Sequence, residues 1–326
     1  MPLSAGRYAK SKVASSTCRF RDFVDPTRNT PTLTRDRRAK TRVPPSILIS
    51  TQPEDPAVLK FLTVALTLCL TASSMTSEIL AADRIGEFEI RSLKFTGGEY
   101  QDEEFRYLVL PPTKVEAGKQ YPLVLFLHGA GERGKDPQKL LPHFPTQMAK
   151  PEWREKFPCY LVVPQCRDGV MWIHAAWSDK ESSPMPAEPT VQLQMAKAVL
   201  DKSLNELPID RDRVYLTGLS MGGFGSWELA MRYPNLFAAL APVCGGGDEA
   251  QAPRLKDLPI RTGHGTADTV VWPIRSQRMV EAVKKAGGSI QYTEYEGVGH
   301  NSWTPFYAEP DGVVAWMFQQ KRSRGE

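Results

Sequence analysis

From about residue 87 the chain shows two kinds of apolar pattern in turn. "EFEIRSLKF" (87–95) and "EFRYLVLPP" (104–112) switch between apolar and polar residue by residue, which predicts strands with one face in solvent. "YPLVLFLHG" (121–129) is almost continuously apolar, the pattern of a strand buried on both faces. "CYLVVPQ" (159–165), "DRVYLTGLS" (212–220), "FAALAPV" (237–243) and "LPIRTGHG" (258–265) repeat that character, and "IQYTEYEG" (290–297) alternates again as an outer strand does. Between them the spacing predicts helices over 190–206, 222–233, 273–286 and 306–320. Two antiparallel-type strands followed by strand–helix alternation predict an α/β fold. Its mostly parallel sheet has about eight strands with helices on both faces, in one domain over 83–326.

The residues before that domain have a different composition. Residues 1–57 hold eleven Lys/Arg against five Asp/Glu, a balance of +6 within a chain total of +4, so the remainder stands at −2. They are rich in Ser, Thr, Arg and Pro without periodicity, which predicts a disordered or spurious extension. The body has no basic footprint for nucleic acid. Residues 58–82, "VLKFLTVALTLCLTASSMTSEILAA", begin with Lys60, continue as an apolar run from Phe61 to Leu70 and end in small residues. That order predicts a signal peptide cleaved near Ala82, with translation starting near Val58 or Leu59 and export of a mature protein that has no stable membrane span. The alternative is a transit peptide or a buried N-terminal helix. Cys159, Cys166 and Cys244 remain beyond this segment. They fit no zinc spacing, and buried thiols are expected, with room for one disulfide.

The candidate chemistry starts at Gly218-Leu219-Ser220-Met221-Gly222, a G-x-S-x-G between a predicted strand and a predicted helix. A serine lifted out of the sheet by a tight strand-to-helix turn exposes its hydroxyl. The flanking glycines leave room where a Cβ would collide with backbone. Such a serine needs a base, and the base needs an orienting acid, in the chain order Ser, acid, His. Of five histidines only His300, in "YEGVGHNSW", has the right position; His143 and His174 precede the serine, and His128 and His264 end apolar strands as structural residues. The acid is Asp268 in "HGTADTVV", a residue that is also placed to cap the helix after it; Asp248 in "CGGGDE" is the alternative.

"LFLHGAGERGKD" (125–136) satisfies G-x-G-x-x-G and nearly satisfies a phosphate loop. The dinucleotide reading lacks an acidic residue at the end of the next strand. The phosphate reading meets Asp136 and Pro137 where a hydroxyl and a free amide are needed. An oxyanion-binding loop fits instead, with one amide from Ala130 or Gly131 and the other from Met221. Glu132 and Arg133 are read as a pair bracing the loop.

"LHGAGERG", "VVPQC", "TGLSMGGFGSWELAMRYPNLFAALAPVCGG", "HGTADTVV" and "EGVGHNSW" resemble the α/β-hydrolase superfamily. They look like bacterial secreted hydrolases of the predicted-peptidase or phospholipase/carboxylesterase type. They are also similar to feruloyl-esterase and polyhydroxybutyrate-depolymerase-like domains. The resemblance spans 87–320 and implies a serine carboxylesterase without cofactor or metal. A peptidase of the prolyl-oligopeptidase-like type and a non-catalytic binding protein with the same fold are the alternatives. Trp172, Trp177, Trp272 and Trp303 lie in loops at the expected catalytic edge, which predicts a rim for a small-molecule or polysaccharide-linked ester.

Overall fold

The computed structural model describes residues 83–309 and 311–322, so the expectations for 1–57 and 58–82 lie outside the described residues. Strands β1 (Arg84–Ile85), β2 (Phe88–Gly97), β3 (Tyr100–Leu110), β4 (Tyr121–Leu127), β5 (Tyr160–Pro164), β6 (Ile209–Leu219), β7 (Ala239–Val243), β8 (Ile260–Gly265) and β9 (Ile290–Tyr295) form one sheet. The order is β1-β2-β3-β5-β4-β6-β7-β8-β9. β1, β2, β3 and β5 pair antiparallel in turn, and every pairing from β5 through β4 to β9 is parallel. The ninth strand beyond the expected eight is β1, whose two residues are too few to produce a sequence period.

Helices α1 (Phe144–Met148), α2 (Pro151–Lys156), α3 (Val191–Glu206), α4 (Met221–Arg232), α5 (Ile274–Lys285), α6 (Trp303–Ala308) and α7 (Val313–Gln319) cover the sheet. α3 starts where Thr190 accepts the Leu193 amide at 3.1 Å, an N-cap that satisfies a donor the helix itself leaves free. The single helix expected over 306–320 is instead the pair α6 and α7. Pro310 and Gly312, both poor helix-interior residues, fall between them in the sequence. Short, proline-led α1 and α2 were not expected.

The alternation of the strands sorts the core into two layers. Leu123, Leu125 and Leu127 of β4 pack with Leu193, Val199, Phe224, Trp227 and Met279 on one face of the sheet. Val124 and Phe126 pack with Phe144, Trp153, Phe306 and Val314 on the other. All seven residues of β4 are buried, as the continuous apolar run requires. Each fully buried large side chain contributes about 1.5–3 kcal/mol. This doubly covered sheet holds its C-terminal edge rigid, where ligands bind in open α/β sheets.

Candidate active site

Ser220 stands between β6 and α4 with φ 52° and ψ −118°, a left-handed conformation that costs a non-glycine residue about 1–3 kcal/mol. The turn is held on both sides: the Ser220 amide donates to Val243 O at 3.1 Å, and the Phe224 amide donates to Ser220 O at 3.0 Å. A Cβ at Gly222 would meet Leu127 O at 1.8 Å, and one at Gly218 would meet Gly222 O at 2.4 Å. Close approach of three backbone segments is what both glycines permit. Phe224, Trp227 and Met231 then anchor α4 in the core.

Asp268 and His300 follow β8 and β9, neighbouring parallel strands. The loops after these strands are zipped together by the Ala267 amide, which donates to Val298 O at 3.0 Å. Their approach needs Gly265, where a Cβ would sit 2.2 Å from Val298 O. In consequence His300 Nδ1 lies 2.7 Å from Asp268 Oδ2, and His300 Nε2 lies 2.8 Å from Ser220 Oγ. Asp268 is buried, whereas the His300 side chain is partly open to solvent. Burial works against the Asp268 carboxylate, but hydrogen bonds from His264, His300 and the Val271 amide outweigh it, so its pKa lies well below the ordinary carboxylate range. An arrangement of this kind is able to pass a proton from hydroxyl to imidazole while a fixed negative charge balances the imidazolium. Asp268 does not cap α5, whose N-cap is Pro273; its Oδ1 accepts the Val270 and Val271 amides at 2.9 and 3.0 Å.

Asp248 is engaged elsewhere: Oδ1 accepts the Ala250 amide at 3.0 Å and Oδ2 the Met185 amide at 2.8 Å. Ala130 opens the 3-10 turn Ala130–Glu132 after β4, and Met221 opens α4. Amides at such first positions have no partner within their own helix and remain available to an anion.

Two further readings of the sequence need correction. Glu132 and Arg133 do not pair. Arg133 donates to Ala130 O and Val170 O at 2.8 and 3.0 Å, and Glu132 lies 3.7 Å from His143 Nε2. Arg133 therefore braces the loop through carbonyls, the acceptors nearest a guanidinium that turns back on its own loop. Trp172 is fully buried and is no part of a rim. Its indole donates to His128 O at 3.0 Å and its Cβ abuts Gly225, so it fills the layer under α4. Trp177 is half-buried against the same core. Trp303 stands edge-on to the His300 ring at 5.3 Å, and its indole donates to His143 Nδ1 at 3.2 Å. Trp272 is 36% exposed, and its indole donates to Ser178 O.

His128 is structural as expected: Nδ1 donates to Gly129 O at 2.6 Å and Nε2 accepts the Cys166 amide at 3.0 Å. Cys159, Cys166 and Cys244 are free and buried. Burial pushes the Cys159 and Cys166 thiols up to about 12, which leaves them protonated and unreactive. His264, read as structural, touches Asp268 directly at 3.1 Å. The i, i+4 spacing of His264 and Asp268 past a strand end was the available signal.

The family model described as phospholipase/carboxylesterase matches residues 112–309. The chain belongs to the phospholipase/carboxylesterase family. The carboxylesterase SOBER1 of Arabidopsis thaliana is 26% identical over 193 residues, covering 55% of this chain and 82% of that protein. The bifunctional acetylxylan esterase/xylanase XynS20E of Neocallimastix patriciarum is 37% identical over 86 residues, covering 25% of this chain and 12% of that protein. The crystal structure of a thermostable esterase superposes with a TM-score of 0.65 at 36% identity over 73% of this chain. This chain spans 64% of that esterase's length. The phospholipase/carboxylesterase assignment makes the protein an α/β-hydrolase and a hydrolytic enzyme of carboxylic esters.

Proposed function

We propose that the protein is an exported serine carboxylesterase in which Ser220 is the nucleophile, His300 the general base and Asp268 the residue that orients the base. The observation that carries this reading is the unbroken line from Ser220 Oγ through His300 to Asp268 Oδ2, with steps of 2.8 and 2.7 Å. Ser220 Oγ attacks the ester carbonyl carbon while its proton passes to His300 Nε2. The carbonyl oxygen becomes an oxyanion facing the amides of Ala130 and Met221. The tetrahedral centre collapses, the C–O bond to the alcohol breaks, and His300 returns the proton to the departing alkoxide. Water repeats the sequence on the acyl-enzyme and releases the acid.

The substrate reading is a small or polysaccharide-linked ester. It is supported by the aromatic surface of Trp303 against His300 and by the acetylxylan esterase activity in the name of one relative. Export rests on residues 58–82. Sequencing the N-terminus of the protein isolated from its natural host should find it near Asp83; an intact N-terminal segment on cytosolic protein would refute export.

The central test is covalent. A fluorophosphonate should label the wild-type protein and leave Ser220→Ala unlabelled while both melt at the same temperature. Labelling that survives the substitution would remove Ser220 from the role. Aryl esters should be cleaved far faster than anilides of the same acyl group, and the reverse preference would favour a peptidase.

A further inference from the structure

We propose that His264 is a positioning residue, a second imidazole that holds the Asp268 carboxylate in the orientation His300 needs. This rests on the reading of Ser220, His300 and Asp268 as the catalytic line. The side chain of His264 has no exposed surface, and its Nε2 lies 3.1 Å from Asp268 Oδ2, the same oxygen that accepts from His300 Nδ1. The carboxylate is thus held at every corner: two backbone amides on Oδ1, and two imidazoles on Oδ2. The amides alone anchor Oδ1 and leave the carboxylate able to tilt about that oxygen, which displaces Oδ2. A contact from a second direction removes that freedom, and it does so with a rigid, fully packed ring.

The protonation of the ring follows from its neighbours. His264 Nε2 faces Asp268 Oδ2 at 3.1 Å and Val271 O at 3.0 Å, both acceptors, so this nitrogen carries a hydrogen. On the far side Ser276 Oγ on α5 lies 2.8 Å from His264 Nδ1 and 2.8 Å from Gly245 O. Gly245 is two residues past Val243, whose carbonyl accepts the Ser220 amide. Both ends of the catalytic line are therefore fastened to one short segment after β7: Ser220 directly, and Asp268 through His264 and Ser276. A shift of Asp268 relative to Ser220 is resisted by this closed circuit, and a displacement of about 1 Å at such a site costs about 100-fold in rate.

Two substitutions separate positioning from packing. In His264→Gln the amide reaches the place of Nε2 and keeps a donor on Asp268. In His264→Asn the shorter amide reaches only the place of Nδ1, keeping Ser276 and losing Asp268. With an aryl acyl ester, kcat should fall by about 100-fold in His264→Asn, with KM within about twofold, and stay within about tenfold of wild type in His264→Gln. Equal losses in the two variants, or losses that follow the melting temperature instead of the reach of the amide, would overturn the proposal. The cycle with Asp268→Asn tests whether His264 acts through that carboxylate. On an Asp268→Asn enzyme already disabled, His264→Asn should cost less than about threefold more. The same 100-fold loss in both backgrounds would overturn the inference alone. An Asp268→Asn enzyme of full activity would instead remove the catalytic line on which the inference rests. If neither His264 variant folds, long-range 1H–15N spectra of the wild-type imidazoles decide. A proton on His264 Nε2 whose chemical shift moves in Asp268→Asn supports the assignment; a lone pair there, or a proton whose shift does not respond to Asp268→Asn, refutes it.

Discussion

His300 Nδ1 lies 2.7 Å from Asp268 Oδ2, whereas the rival carboxylate, Asp248, has both oxygens committed to backbone amides. The difference ranks two substitutions that look alike in the sequence. Asp268→Asn should lower kcat by about 10⁴-fold, because an amide cannot hold the imidazole in the tautomer that accepts a proton at Nε2. Asp248→Asn should lose far less, since it only loosens the turn at 248–250 and the strap through Met185. Initial rates on an aryl acyl ester compare the two, and the opposite ranking would place the orienting acid after β7.

The strained turn at Ser220 depends on absent side chains. Gly222→Ala would drive a methyl to 1.8 Å from Leu127 O, and backbone cannot rotate away as a side-chain tip can. Overpacking of this kind costs about 1–3 kcal/mol or more. Gly131→Ala, which meets nothing within 4 Å, is the control. Thermal melting should show a large loss for Gly222→Ala and a near-wild-type curve for Gly131→Ala; equal curves would mean that the elbow is looser than its packing indicates.

His128 contributes to the acid dependence of stability. Burial lowers its pKa from the ordinary 6.5 to about 4, against the opposing bond to Gly129 O. The unfolded chain therefore takes up a proton near pH 6.5 that the folded chain refuses until about pH 4. Stability must fall as pH drops across that window and level off below it, with a total on the order of 3 kcal/mol. Asp268 has the depressed pKa of a carboxylate, so its own contribution is complete above about pH 4 and is lost only as pH falls below that. The two windows do not overlap. Denaturant titrations at pH 7 and pH 4.5 should give a smaller pH dependence for His128→Gln than for wild type. An unchanged dependence would mean that His128 is not the group responsible.

Much of this was legible in the sequence because it depended on local period and chain order. The run Tyr121–Leu127 reads as a doubly buried strand, and β6, Ser220 and α4 read as an elbow, since each signal lies in one continuous stretch of chain. His300 emerged by order alone. What escaped depends on where loop side chains point, which no period encodes. Trp172 and Trp303 both follow strand ends in tryptophan-bearing stretches of similar sequence character, yet Trp172 is sealed beneath α4 and Trp303, the first residue of α6, stands against His300. Arg133 turned to carbonyls of Ala130 and Val170 instead of its neighbour Glu132. His264 ended an apolar strand like His128, and only the turn through Val270 and Val271 brings Asp268 back onto its ring.

The loop after β4 offers a test of oxyanion binding with little backbone cost. Ala130 is the first residue of a 3-10 turn, a position where proline fits because its missing amide hydrogen has no helical partner. Gly129 before it has φ −78° and ψ −176°, an extended conformation of the kind a residue preceding proline favours. Ala130→Pro therefore deletes one amide donor and leaves the turn able to form. If that amide faces the oxyanion, transition-state stabilisation should drop by roughly 2.7–4 kcal/mol, a loss of about 10²–10³ in kcat with KM little changed. The interaction reaches full strength only when the oxygen is charged, so binding of the uncharged ester is barely affected. An unaltered melting temperature must accompany the loss for it to be assigned to the donor. A folded and fully active Ala130→Pro would pass the role to the Gly131 amide. The same loop separates this reading from nucleotide binding: ATP or NAD at millimolar concentration should leave the melting temperature unchanged, because any ligand of the folded state raises it by mass action.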